Sequence, residues 1–217
     1  MKIRILGTLI ILLITLFGCK STQIKSNSFA DFPLHELILA NRAAEIRKYF
    51  ESGNSTTYFK NGWSPLLFAT QLGHREIVEI LLRHGAKVNN TSYPDHISAL
   101  HLAAAKGYYN IVQILLNNGA KIDHQDSKLR STSLMRAAVH GHKKVVQLLI
   151  DRGALLNVRG NRGESALFLA VSAEETAIAK LLIERGANKI RPDIYGITPL
   201  QKAIKLNNKK LITLLEK

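Results

Sequence analysis

The chain has 217 residues, of which 46% are apolar, 21% charged and 6% aromatic. That excludes a disordered chain and suffices for one domain with a buried core. A single cysteine excludes a disulfide framework and a cysteine-rich metal site, and a formal charge of +14 requires a strongly positive surface.

The first segment reads as an address. Lys2 and Arg4 form a positive head, and an apolar run follows from Ile5 to Phe17. The run is about 13 residues, short of the roughly 20 that a membrane-spanning helix needs, and its layout is that of a secretory leader. Its end, Leu16-Phe17-Gly18-Cys19, resembles the lipobox of bacterial lipoproteins, although Phe17 is larger than the small residue usual there. The resemblance implies cleavage before Cys19 and lipidation of that residue. A thiol without a possible disulfide partner in its own chain fits this role. Residues 1–18 are then the leader, and 19–31 the lipidated cysteine and a polar tether. Lys20 is not the aspartate associated with inner-membrane retention in enterobacteria, so the expected location is the outer membrane, facing the periplasm.

From Phe32 the sequence repeats. Gly53, Gly85, Gly119, Gly153 and Gly186 recur at intervals of 32, 34, 34 and 33. Leu34, Leu66, Leu100, Leu134, Leu167 and Leu200 recur at intervals of 32, 34, 34, 33 and 33. Two independent markers thus share one period, the mark of stacked supersecondary units. In the second unit Ser64 is positioned as a helix N-cap and Pro65 as the first helical residue. Gly73-His74 ends the first helix. Ile77, Val78, Leu81 and Leu82 give the second helix one wide apolar face, and Gly85 closes it. The same face recurs as Ile111, Val112, Leu115 and Leu116, as Val145, Val146, Leu149 and Ile150, and as Ile178, Ala179, Leu182 and Ile183.

This grammar resembles the ankyrin repeat. The openings Ser64-Pro65-Leu66, Ser98-Ala99-Leu100-His101, Thr132-Ser133-Leu134 and Thr198-Pro199-Leu200 carry the likeness, with the corners Gly73-His74 and Gly141-His142. The resemblance implies an all-α solenoid of about six helix-turn-helix units with turn or hairpin tips, over 32–217. The units run over about 32–58, 59–92, 93–126, 127–159, 160–192 and 193–217. Glu45 and Glu216 stand where sibling units are apolar, as end caps with one wet face should. His96 and Arg130 replace a turn glycine and Glu174 replaces a corner glycine, which puts the local geometry of the fifth corner in question.

No zinc-binding helix motif, phosphate-binding glycine loop or nucleophile elbow is present. His35, His74, His101 and His142 fall where the repeat itself favours histidine, and His140-Gly141-His142 reads as a corner plus one surface residue rather than a metal pair. Neither an enzymatic role, a cofactor nor a metal is expected. The ankyrin resemblance implies binding through the concave side, made of turn tips and first helices. Carried over unit by unit, the candidate contact residues are Lys60, Trp63, Tyr93, Ile97, Lys106, Lys128, Arg130, His140, Arg162, Tyr195 and Ile197. Trp63, Ile97 and Ile197 share one repeat position and are expected to form an exposed apolar strip.

Charge is unevenly placed. Residues 20–127 carry 11 basic and 9 acidic side chains, residues 128–217 carry 17 and 7. The second half would steer an acidic partner. The expected function is non-catalytic protein binding by a monomer held in the envelope by lipid, with an immunity or inhibitor protein as its first specific form. A scaffold or assembly factor for another envelope protein is the alternative, as is a binder of anionic lipid or glycan. Export makes nucleic acid an unexpected partner.

Overall fold

The computed structural model describes residues 32–55 and 63–216. Cys19, the leader, the tether and Lys60 lie outside the described residues. The described residues form twelve α-helices and no strand. They are α1 Phe32–Leu39, α2 Ala43–Glu51, α3 Pro65–Leu72, α4 Arg75–Arg83, α5 Ala99–Lys106, α6 Tyr109–Asn117, α7 Ser133–Val139, α8 Lys143–Asp151, α9 Ala166–Ser172, α10 Thr176–Glu184, α11 Pro199–Lys205 and α12 Lys209–Glu216. Each odd-numbered helix packs on its own even-numbered partner and on the odd-numbered helices before and after it. The even-numbered helices form a second row. This is the expected all-α solenoid of six helix pairs.

Local chemistry starts α3, α5, α7, α9 and α11. The hydroxyls of Ser64, Ser98, Thr132, Ser165 and Thr198 each accept the amide of the residue three positions on. Pro65 and Pro199 occupy a first-turn position where no N–H is needed.

Packing then follows from side-chain size. Leu66, Leu100, Leu134 and Leu167 are buried. Three residues on from Leu66, Leu100, Leu134, Leu167 and Leu200 stand Ala69, Ala103, Ala137, Ala170 and Ala203, every one fully buried. Alanine at the contact lets neighbouring first helices approach closely. The even helices bury Ile77, Val78 and Leu81, Ile111, Val112 and Leu115, Val145, Val146 and Leu149, and Ile178, Ala179 and Leu182. Each large side chain so buried contributes about 1.5–3 kcal/mol relative to exposure. The fourth expected residue of each face, Leu82, Leu116, Ile150 and Ile183, is only half-buried. Ile80, Leu148 and Leu181 are buried beside these faces instead. Glu45 is exposed and pairs with Arg42 at 3.1 Å, and Glu216 is exposed, as end positions should be.

The corners explain the Gly-His pairs. Gly73, Gly107 and Gly141 take left-handed φ values of 77°, 72° and 77°. The residue following the next corner lies over each glycine. A Cβ on Gly73 would stand 2.8 Å from the Tyr108 ring, one on Gly107 2.5 Å from the His142 ring, and one on Gly141 2.6 Å from the Glu175 carboxylate. Glu174 keeps the corner geometry with φ 60°, and Asn41 and Asn207 do so with 55° and 54°. Over Glu174 comes the short Asn208, whose amide donates to the Glu174 carboxylate at 2.9 Å. The fifth corner is therefore intact, at a strain of roughly 1–2 kcal/mol for a non-glycine residue. His96 and Arg130 likewise adopt φ 51° in the place of Gly163 and Gly196.

Among the described residues no helix is long and apolar enough to cross a membrane.

Candidate functional site

Loops 92–97, 126–131, 160–164 and 193–197 form the tips of units three to six. Main-chain bonds tie each tip to the next. Ser127 N–H donates to Asp95 O at 2.9 Å, Asn161 N–H to Leu129 O at 2.8 Å, and Ile194 N–H to Arg162 O at 2.9 Å. Side chains add Ser127 Oγ to Pro94 O at 3.0 Å and Asn161 Nδ2 to Lys128 O at 3.1 Å. The tips are thus one connected row.

Three of the four carboxylates in this row, those of Asp126, Glu164 and Asp193, are occupied by their own turns; Asp95, in the third unit's tip, is half-buried. Asp126 Oδ1 accepts the amides of Lys128 and Leu129 at 3.0 and 2.7 Å. Asp193 Oδ1 accepts those of Tyr195 and Ile197, both at 2.9 Å. Glu164 Oε2 accepts the amide of Arg162 at 3.1 Å. Cations and apolar groups are left outside: Lys128, Arg130 and Arg162 are exposed, and Tyr93, Tyr195, Ile194 and Leu129 are 76%, 69%, 60% and 47% exposed. Lys106, at the end of α5, and His140, just past α7, are exposed as well.

The row therefore contains Tyr93, Lys128, Arg130, Arg162 and Tyr195 of the expected contact residues. It does not contain the expected apolar strip. Trp63, Ile97 and Ile197 are half-buried, and Trp63 packs against the core. The turn itself is the reason. The amide of Ile97 donates to Ser92 Oγ at 3.1 Å and that of Ile197 to Asp193 Oδ1, which folds this position back under the loop. Ser131, at the same position, is buried. Exposed apolar surface instead sits at the outer loop residues Tyr93, Leu129, Ile194 and Tyr195.

Beneath the tips lies a polar cluster that links units three and four. His101 is fully buried: its Nε2–H donates to Ser131 O at 2.9 Å, and its Nδ1 accepts the Ser98 amide at 3.3 Å. Asp126, also buried, accepts from Ser131 Oγ and from Arg136 Nη2 at 3.1 Å besides the turn amides. Burial alone would raise the Asp126 pKa. The bonds from Leu129, Ser131 and Arg136 overcome it and bring the carboxyl down to about 2. Burial lowers His101 from 6.5 to about 4. A base with a depressed folded pKa binds protons more readily in the unfolded chain. Its stabilisation is complete above pH 6.5 and is lost as pH falls towards 4. Full loss of this contribution amounts to about 3 kcal/mol. Burial lowers the pKa of His35, His74 and His140 in the same direction. Urea midpoints measured at pH 7.5, 6, 5 and 4.5 should fall steadily, and a flat profile would contradict neutral burial of His101.

Among the described residues no group of three metal-ligating side chains is assembled. His142 of the His140-Gly141-His142 corner is held by Ala105 O at 2.9 Å.

A second ladder escaped sequence reading. Asn89 Oδ1 accepts Lys121 N–H at 2.8 Å, Asp123 Oδ1 accepts Leu155 N–H at 3.0 Å, and Asn157 Oδ1 accepts Asn188 N–H at 2.9 Å. Each acceptor caps an amide of the following unit, and their spacing of one repeat was visible in the sequence.

A family model for ankyrin repeats, built on three copies, matches residues 7–92, 34–126, 90–160 and 134–217. The chain belongs to the ankyrin repeat family. No curated protein matches it. Ankyrin repeats generally mediate protein–protein interaction.

Proposed function

We propose that this ankyrin protein binds an acidic protein partner through its tips and the adjoining first helices, while lipid on Cys19 holds it in a bacterial envelope. The observation that carries the reading is the inward use of Asp126, Glu164 and Asp193 in their own turns. It leaves Lys128, Arg130 and Arg162 outside, beside exposed Tyr93 and Tyr195. Cations provide steering and exposed aromatic rings provide apolar anchors, a pairing typical of interface hot spots. An immunity or inhibitor role against an acidic toxin is the specific form favoured by this chemistry. A scaffold for another envelope protein uses the same surface.

Two results are expected. Tyr93→Ala combined with Tyr195→Ala should weaken partner binding at least tenfold at 0.5 M salt, on the order of a hot-spot loss. Calorimetry against the captured partner measures this, and unchanged affinity would place the contacts elsewhere. Cys19→Ser should move the protein from the membrane fraction to the soluble envelope fraction. Continued membrane attachment would defeat the lipid-anchor reading.

A further inference from the structure

A small hollow between the loop that joins units four and five and the loop that leads into unit six is lined by Asn157, Arg159, Gly163, Ser165, Asn188 and Arg191. No carboxylate lines it. Acceptor oxygens on its walls are already used: Asn157 Oδ1 takes the Asn188 amide, Asn188 Oδ1 takes the amides of Ile190 and Arg191, and Ser165 Oγ takes that of Phe168. Because these bonds fix the amide orientation, the side-chain NH2 groups of Asn157 and Asn188 remain as donors. With them stand two guanidiniums, neither ion-paired to a carboxylate among the described residues.

Arg159 is the telling residue. One repeat earlier its place is taken by Gln125, whose amide donates to Arg159 O at 2.9 Å. Arg159 repeats that bond one unit on, with Nη2 donating to Pro192 O at 3.1 Å. The ladder needs one N–H donor, which glutamine supplies. Arginine adds a charge and further donors that the ladder does not use. Gly163 leaves room for the guanidinium, since a Cβ there would collide with Arg159 Nη2.

We propose that this hollow is a carboxylate-binding site that takes an aspartate or glutamate side chain of the partner. It rests on the reading that the partner is an acidic protein. The hollow is small, which limits it to the end of a side chain, and a planar guanidinium pairs with a carboxylate in bidentate fashion.

The test is an NMR titration of the detergent-solubilised full-length protein, with hexaglutamate and inorganic phosphate as separate probes. Side-chain N–H resonances of Arg159, Asn157 and Asn188 should shift saturably with hexaglutamate. Arg159→Gln keeps the donor to Pro192 and should weaken that binding roughly tenfold, as loss of a charge-assisted pair does. Arg191→Gln, on an exposed side chain, should also weaken it. Saturation by phosphate alone would overturn the carboxylate assignment. Unsaturable shifts spread over all surface cations, or affinity unchanged from wild type in both variants, would overturn the site. Because the probe is not the partner, failure here leaves the tip surface standing, and failure of partner capture leaves this site standing.

Discussion

Asp126→Ala should destabilise the solenoid by about 3–5 kcal/mol, the range for removing one member of a buried ion pair. Three amides, those of Lys128, Leu129 and Ser131, point at this carboxylate, as do Ser131 Oγ and Arg136 Nη2. The Asp126 side chain is 0% exposed and that of Arg136 22%, so water cannot easily replace the lost acceptor. Ser131 also receives the His101 ring, so the damage would reach the contact between units three and four. Asp193→Ala is the control. It removes two turn bonds at an exposed tip and should cost only about 1 kcal/mol. Urea denaturation measures both, and equal losses would show that the Asp126 cluster has no special role in stability.

Gly107→Val should cost about 3 kcal/mol or more. A side chain there takes φ 72°, and its Cβ stands 2.5 Å from His142 Nδ1. Strain in the left-handed region accounts for roughly 1–2 kcal/mol, and displacement of a packed ring adds a similar overpacking cost. The ring also holds Ala105 O, a bond the displaced His142 would lose. Gly119→Val isolates the first part. Gly119 has φ 80° but nothing within 4 Å of its Cβ position. A smaller loss there than at Gly107, by the same denaturation measurement, is the expected result.

Much of the fold was legible because its determinants repeat. The leucines, the hydroxyl N-caps and the glycines each act through a short local rule, and each rule recurs every 32 to 34 residues. The site was less legible. Trp63, Ile97 and Ile197 look exposed when a turn is read alone, but hydrogen bonds within the turn fold that position back under the loop. Periodicity does not reveal Asp126, since its partner Arg136 is ten residues away and the siblings of Asp126 carry Ser92, Gly160 and Asp193. Arg159 was hidden for the opposite reason, because it stands in for a glutamine within an ordinary ladder. Glu174 and Arg130 show that the stacked units impose left-handed geometry even without glycine.

Cross-linking in native cells, followed by capture of the full-length protein and mass spectrometry, tests the proposed binding role most directly. One dominant acidic protein should be recovered, and it should be lost when Tyr93, Arg162 and Tyr195 are replaced together by alanine. Recovery of lipid or glycan alone, released by moderate salt, would contradict a protein-binding function and assign the basic surface to the envelope itself.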